Sequence, residues 1–144
     1  MENYLWLVYA LLSAVAAAMV SVFGKIGLQG LDAHTATAVR AVIMAAFLAA
    51  VAVFQRRWEH LPELWADKRA MTFILLSGVA GALSWLFYFT ALKYGKVSQV
   101  APVDKLSVVL AATAAVVFLH ETVSAMSAAG IGLITAGIIL VALG

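Results

Sequence analysis

The chain has 144 residues, of which 65% are hydrophobic and 11% charged, and its mean hydropathy is +1.05. A soluble domain of this length could not bury so much apolar surface, so the composition indicates a multi-pass protein whose main partner is the lipid bilayer. The formal net charge of +2 is small and scattered, which argues against a nucleic-acid partner. The chain lacks cysteine and its three histidines share no ligand spacing, so no metal or other cofactor is predicted.

Five apolar segments predict an all-α polytopic membrane protein, a five-transmembrane-helix bundle that forms a single domain over residues 1–144. The first segment, residues 4–23, carries no charge and is long enough to cross a hydrocarbon core of about 30 Å. It has no basic leader and is too long for a cleavable signal peptide, so we interpret it as a retained helix. The predicted helices cover residues 4–28, 33–54, 70–95, 98–119 and 122–143.

The second predicted helix follows a short connector in which Gly30 and Asp32 are turn residues. Arg40 lies well inside this helix. The pattern favours a side chain that snorkels to the interface, because long basic side chains can keep their charge in water while their stem lies in lipid. Two functional interpretations remain open: Arg40 contacts an anion, or it pairs with Asp104.

The third predicted helix follows the one hydrophilic loop, residues 55–69, where Trp58 and Trp65 are placed like interfacial anchors. Small and polar residues recur along one side of this helix, at intervals of three and four residues. They are Ser77, Gly81, Ser84, Trp85 and Tyr88. An indole N–H and a phenol within the membrane need polar partners. This side therefore either bonds to adjacent helices or lines a cavity.

The fourth predicted helix contains a proline, a carboxylate and an ammonium within four residues: Pro102, Asp104 and Lys105. The proline removes a backbone donor and crowds the carbonyl of Ser98, so the helix must bend or loosen here. Asp104 lies about 9 Å along the helix. Because an ionised side chain in lipid costs roughly 2.5–3.5 kcal/mol, it indicates a functional site. The alternative is a neutralised Asp104–Lys105 pair that only sets the depth of the helix.

The fifth predicted helix carries a ridge of small residues at intervals of four, typical of close helix contact. The members of this small-residue ridge are Ser124, Ala128, Gly132 and Ala136. Five spans place the termini on opposite sides of the membrane, yet the basic residues divide almost equally between the two sides. Lys and Arg normally set orientation, so this balance favours a homodimer with antiparallel subunits, that is, dual topology. The small-residue ridge is the predicted dimer contact.

Two stretches of the sequence resemble the EamA family of the drug/metabolite transporter superfamily. The first is WLFYFTALKYGKVSQVAP, residues 85–102. The second is VVFLHETVSA, residues 116–125, followed by GIGLITAG, residues 130–137. The resemblance covers the whole chain as one five-helix unit and implies the single-unit subgroup of bacterial and archaeal transporters. The family often has glycine before the glutamate that ends the fourth helix, whereas this chain has His120.

The resemblance implies a secondary transporter, an exporter of a small organic solute that works by alternating access in a dimer of the inner, or cytoplasmic, membrane. It implies no enzymatic activity. The fourth helix, broken at Pro102, would line a central cavity together with the aromatic side of the third. Asp104 would bind a cation or shuttle a proton, while Lys105 would pair with it, meet the other subunit or bind an anionic group. The predicted substrate-binding residues are Ser84, Trp85, Tyr88, Pro102, Asp104, Lys105 and Ser107. The alternative function is a non-transporting scaffold or a regulatory subunit of a larger membrane complex.

Overall fold

Residues 4–144, the part of the chain described by the computed structural model, are helices joined by short turns and contain no strand. In chain order the helices are α1 (Leu5–Gly27), α2 (Ala33–Phe54), α3 (Leu61–Ala66), α4 (Lys68–Tyr94), α5 (Val97–Asp104), α6 (Leu106–Leu119) and α7 (Ala125–Leu143). Counting α5 and α6 as one, five segments of the described residues are long and apolar enough to cross a bilayer. The predicted all-α polytopic membrane fold is therefore confirmed.

The start of α7 differs from the prediction by three residues, because Ser124 caps the helix. The Ser124 side chain accepts a hydrogen bond from the backbone N–H of Ser127 at 3.1 Å. Such a cap satisfies one of the free donors of the first turn. Ser124 thus precedes α7, so the first member of the predicted small-residue ridge lies just outside the helix that carries the other three.

The hydrophilic loop between the second and third spans is more regular than predicted. It contains a 3-10 turn, Arg57–His60, followed by the short α3. Pro62 lies in the first turn of α3, where its missing N–H leaves no helix bond unmade. Trp58 and Trp65 are both exposed, as side chains at a headgroup interface would be.

The described residues divide into two compact units. The central unit is Phe23–Lys93, and the terminal unit is Tyr94–Gly144 with the residues up to Val22. The buried apolar residues of the central unit are Leu28, Ala33, Tyr88, Phe89 and Leu92. Gly24 fits against this core only because it has no side chain: an added Cβ would lie 2.7 Å from Cε1 of Phe89.

In the terminal unit, α7 packs against both α5 and α6, and Ile138 is the buried residue of α7. Ala128, Gly132 and Ala136 are exposed. A Cβ added at Gly132 would meet no described atom within 4 Å outside its own helix. Within the described residues, therefore, no other helix makes the close backbone approach that the small-residue ridge predicts.

Candidate functional site

A groove lined by α2 and α4, here named the α2–α4 groove, lies within the central unit and has a volume of about 610 Å³. Its walls are mostly apolar, with Met44, Leu83 and Leu86 as the largest aliphatic side chains. Polar groups are few, and one of them is the guanidinium of Arg40. This volume lies within the roughly 300–1,000 Å³ of typical small-molecule sites, which are also mostly apolar with a few placed polar groups.

Arg40 lies about 10 Å into α2 from Ala33, and its guanidinium contacts the aromatic side chains of α4. The guanidinium carbon is 3.7 Å from the centroid of the Trp85 ring and 4.9 Å from that of Phe89. A cation over an aromatic face is attracted by the ring quadrupole, and more strongly where water is scarce. The Arg40 guanidinium thus contacts protein side chains, and its predicted snorkelling to the interface stays a prediction.

Trp85 is itself held in place by its neighbours on α4. Its ring makes an edge-to-face contact with Tyr88, with centroids 5.7 Å apart and planes at 86°. A tilted contact with Phe89 has a centroid separation of 5.8 Å. Because Tyr88 and Phe89 are buried, their rings have little room to move, and their contacts restrict the position of the indole. The Arg40 guanidinium therefore rests on an ordered surface.

The structure separates the predicted side of the third span into three environments. Ser77, Gly81 and Trp85 line the α2–α4 groove. Tyr88 is buried in the core of the central unit. Ser84 is exposed and does not belong to the described lining of this groove. Three of the five residues therefore line a cavity, and hydrogen bonding of this side to adjacent helices stays a prediction.

The fourth span is interrupted at Lys105, three residues after the proline. Lys105 donates its backbone N–H to the carbonyl of Pro102 at 3.0 Å, and Val108 donates to the carbonyl of Lys105 at 2.9 Å. Both bonds join residues three apart, the tighter spacing of a 3-10 turn. Since Pro102 cannot bond to Ser98, the regular helix ladder is already incomplete one turn earlier. The predicted loosening of the helix is thus confirmed, as a one-residue interruption between α5 and α6.

Asp104 and Lys105 form an ion pair at this break. Nζ of Lys105 donates to Oδ2 of Asp104 at 3.3 Å, and both side chains are partly exposed. Pro102 is half-buried, whereas Ser107 is exposed in the first turn of α6. These four residues lie in the terminal unit, whereas Ser84, Trp85 and Tyr88 lie in the central unit. Their roles in substrate binding stay predictions.

A second groove, of about 530 Å³, lies at the turn between α1 and α2 and includes Lys25, Asp32 and Lys93. Nζ of Lys25 donates a hydrogen bond to the backbone carbonyl of Leu92. Asp32 caps α2, accepting from the backbone N–H of Thr35 at 2.8 Å and from its hydroxyl at 3.0 Å. These two bonds, the backbone bond first, hold the pKa of Asp32 below its ordinary value of 3.8, with smaller contributions from His34 and Lys93.

Comparison with known proteins assigns this arrangement of spans to a family. Residues 4–143 match the EamA-like transporter family. The chain belongs to the EamA-like transporter family. A relative in Sinorhizobium sp, named an uncharacterized transporter in cobO 3'region, is 40% identical over 137 residues, which are 95% of this chain and 96% of the relative. No solved structure matches the chain.

In this EamA-like protein, the residue before Glu121 ends the fourth span with a left-handed backbone. His120 has φ 54° and ψ 32°, the left-handed conformation, and ends α6. The backbone N–H of Glu121 then donates to the carbonyl of Ala115 at 3.2 Å. Glycine adopts this conformation without strain, so it would suit the position of His120 better than histidine does.

The contact between Arg40 and Trp85 was not predicted from the sequence of this EamA-like protein. Each residue was singled out, but as a member of its own helix. Helical spacing shows which residues share a face of one helix, and it does not show which face of α2 meets which face of α4. The available signal was an arginine and a tryptophan that both lie about two turns or more from the nearer end of their spans.

Proposed function

We propose that this EamA-like protein is a secondary transporter that exports a small organic solute by alternating access, as a homodimer in the inner (cytoplasmic) membrane. Transport, rather than catalysis, is the proposed activity. Family membership and the transporter name of its relative support the general role. The chain has no phosphate-binding loop of the Gly-x-x-x-x-Gly-Lys type, which supports coupling to a solute or ion gradient instead of ATP.

The observation that carries the proposal is the α2–α4 groove. Arg40, Thr37 and Ser77 place polar groups in a cavity lined by helices that are apolar enough to span a bilayer. Polar side chains are costly in lipid, so they are retained mainly where they face protein, water or a solute. A groove with one cation and mostly apolar walls suits a small organic solute better than a hydrated inorganic ion.

Closing the groove tests the proposal. A Cβ added at Gly81 meets no described atom within 4 Å outside its own helix, so a side chain can start there, and that of leucine should fill part of the groove. Cells that express the wild-type protein should release at least one organic solute that cells expressing Gly81→Leu retain, at equal membrane levels. Gly27→Leu is the matched control, since Gly27 is equally unobstructed and lies outside the groove.

The composition of the medium, measured by mass spectrometry, gives the answer. Higher external solute with wild type and with Gly27→Leu, but not with Gly81→Leu, supports export. Lower external solute would reverse the direction, and media identical to those of cells without the protein would refute transport and favour a scaffold. Flux of the identified solute into sealed proteoliposomes without ATP then tests secondary coupling.

A further inference from the structure

The guanidinium of Arg40 contacts ring faces and uses none of its N–H groups in a hydrogen bond or ion pair with the described residues. Its described contacts are the faces of Trp85 and Phe89. A guanidinium keeps its N–H donors in its own plane, so ring contacts at its carbon leave donors for a ligand. These donors are arranged as a fork that matches the two oxygens of a carboxylate.

The described lining of the groove carries a positive charge and no negative charge. Arg40 contributes a permanent positive charge, since a guanidinium is not deprotonated in proteins. None of the described residues that line the groove is acidic. An organic cation would therefore meet like charge with no counter-charge nearby, and a neutral solute would leave the guanidinium unpaired. An anion would supply the missing acceptor.

The walls of the groove suit an apolar body attached to that anion. Met44, Leu83 and Leu86 line it, and two glycines of α4 widen it. A Cβ added at either Gly78 or Gly81 would meet no described atom within 4 Å outside its own helix, so the wall is open at both positions. A ring or a short alkyl chain has room beside the Arg40 guanidinium.

From these contacts we infer that the α2–α4 groove binds an organic anion, whose carboxylate pairs with Arg40 and whose apolar body lies against the aliphatic wall. The inference rests on the proposed transport function and names its substrate class, a small monocarboxylate with an aromatic or aliphatic body. Trp85 acts as a positioning residue, because its ring lies 3.7 Å from the guanidinium carbon and holds the cation at the groove.

A variant with Trp85 as its only tryptophan tests this inference by binding alone. Trp6, Trp58 and Trp65 are exposed, so replacing each by phenylalanine should leave the fold intact. The probe is 4-nitrobenzoate, whose nitroaromatic ring quenches indole fluorescence on contact. Two analogues have a similar nitroaromatic ring. Of these, 4-nitrobenzyl alcohol is neutral and 4-nitrobenzylammonium is positively charged. Saturable quenching by the anion, at concentrations about tenfold or more below those needed for either analogue, is expected.

Substitution of the cation sharpens the test. Arg40→Gln should weaken the binding of 4-nitrobenzoate about tenfold or more, whereas Arg40→Lys, which keeps the charge but loses the fork, should weaken it less. Arg57→Gln removes an equal charge outside the groove and should change nothing. A protein whose only tryptophan is Trp65 should show linear, unsaturable quenching by the same probe, because Trp65 lies outside the groove.

Equal affinity for the anion and the neutral alcohol, or unchanged affinity in Arg40→Gln, would overturn the inference. If Arg40→Gln fails to fold, the inference is still tested by comparing the three probes on the variant that has Trp85 as its only tryptophan. This assay contains no gradient and measures no flux. Selective anion binding without flux would therefore refute only the proposed transport, and flux without selective anion binding would refute only the inferred substrate class.

Discussion

Gly24 of α1 lies so close to the ring of Phe89 that a single added carbon would be 2.7 Å from Cε1 and 2.9 Å from Cζ. Phe89 is 3% exposed, so its ring has little room to move away. We expect Gly24→Ala to lower the free energy of unfolding by about 1–3 kcal/mol, the usual cost of overpacking. Unfolding in detergent, followed by circular dichroism, measures the loss.

The matched control for Gly24→Ala is Gly27→Ala, in the last turn of the same helix. No described atom outside its helix lies within 4 Å of a Cβ added there, so alanine should leave stability unchanged or raise it by up to about 1 kcal/mol through its better helix propensity. Equal effects of the two alanines would show that Phe89 does not constrain Gly24.

The Asp32 cap predicts a pH dependence at the start of α2. The hydrogen bonds from Thr35 place the pKa of Asp32 below its ordinary value of 3.8. The folded state thus binds this proton less readily than the unfolded state, so the stabilisation is fully present above the ordinary value and is lost as pH falls through the lower folded pKa. Asp32→Asn keeps a capping acceptor but does not titrate there.

The difference in thermal midpoint between wild type and Asp32→Asn measures this dependence. It should be constant from about pH 7 to pH 5 and should shift in favour of Asp32→Asn below about pH 4, as the wild-type carboxylate takes up its proton. A difference that stays constant down to pH 3 would contradict the role of the ionised cap.

The protein should be more stable with glycine in place of His120. A left-handed conformation costs an L-residue roughly 1–2 kcal/mol, and glycine avoids this cost. Glycine also has more conformational freedom in the unfolded chain, which offsets part of the stabilisation. We expect His120→Gly to raise the free energy of unfolding by up to about 1 kcal/mol. Arg56, which also has φ 54°, should respond in the same direction. Ala114→Gly, within α6, should instead lose about 0.5–1 kcal/mol, and a loss of that size at His120 would contradict the prediction.

The ion pair at the break in the fourth span separates two roles of Asp104. If Asp104 carries coupling or substrate charge, Asp104→Asn should reduce proteoliposome flux at least tenfold, while membrane insertion stays normal because a costly charge has been removed. If the pair only sets the depth of the helix, the double variant Asp104→Asn with Lys105→Gln should keep wild-type flux. Flux of the double variant equal to that of the wild-type protein would end the coupling role.

Antiparallel assembly predicts a labelling pattern. The chain has no cysteine, so Gly144→Cys introduces a single thiol. Dual topology should give partial reaction with a membrane-impermeant reagent in intact cells and a comparable further reaction after permeabilisation. Labelling confined to one of the two steps would refute dual topology.

Gly132→Leu should weaken the dimer without preventing insertion, because leucine blocks close backbone approach while raising hydrophobicity.

The spans could be predicted closely because lipid imposes a simple rule on length and polarity. The second helix was predicted over residues 33–54 and observed as Ala33–Phe54, and the fourth was predicted from residue 98 and begins at Val97. The largest error, at the start of α7, arose because Ser124 suits both a ridge of small residues and a helix cap. Local chemistry near a helix end is less specific than hydrophobic length.

The candidate site was only half predicted. Trp85 was chosen because a polar group in lipid is costly unless it faces protein, water or a solute, and that argument applies to each residue alone. The partner of Trp85 was not predictable in this way, since the guanidinium of Arg40 reaches it across the space between two helices. Such a pairing depends on how α2 and α4 are rotated about their axes, and a helical repeat contains no such information.

The break at Lys105 also has a consequence for biosynthesis. Helix α5 is about 12 Å long and α6 about 21 Å, so neither alone reaches across a hydrocarbon layer of about 30 Å. The insertion machinery must therefore accept Val97–Leu119 as one piece, on its combined hydrophobicity. Changes that restore a regular hydrogen-bond ladder in the segment, such as Pro102→Ala, should leave insertion untouched. Entry into the membrane and the final course of the backbone are thus encoded by different residues of the same segment.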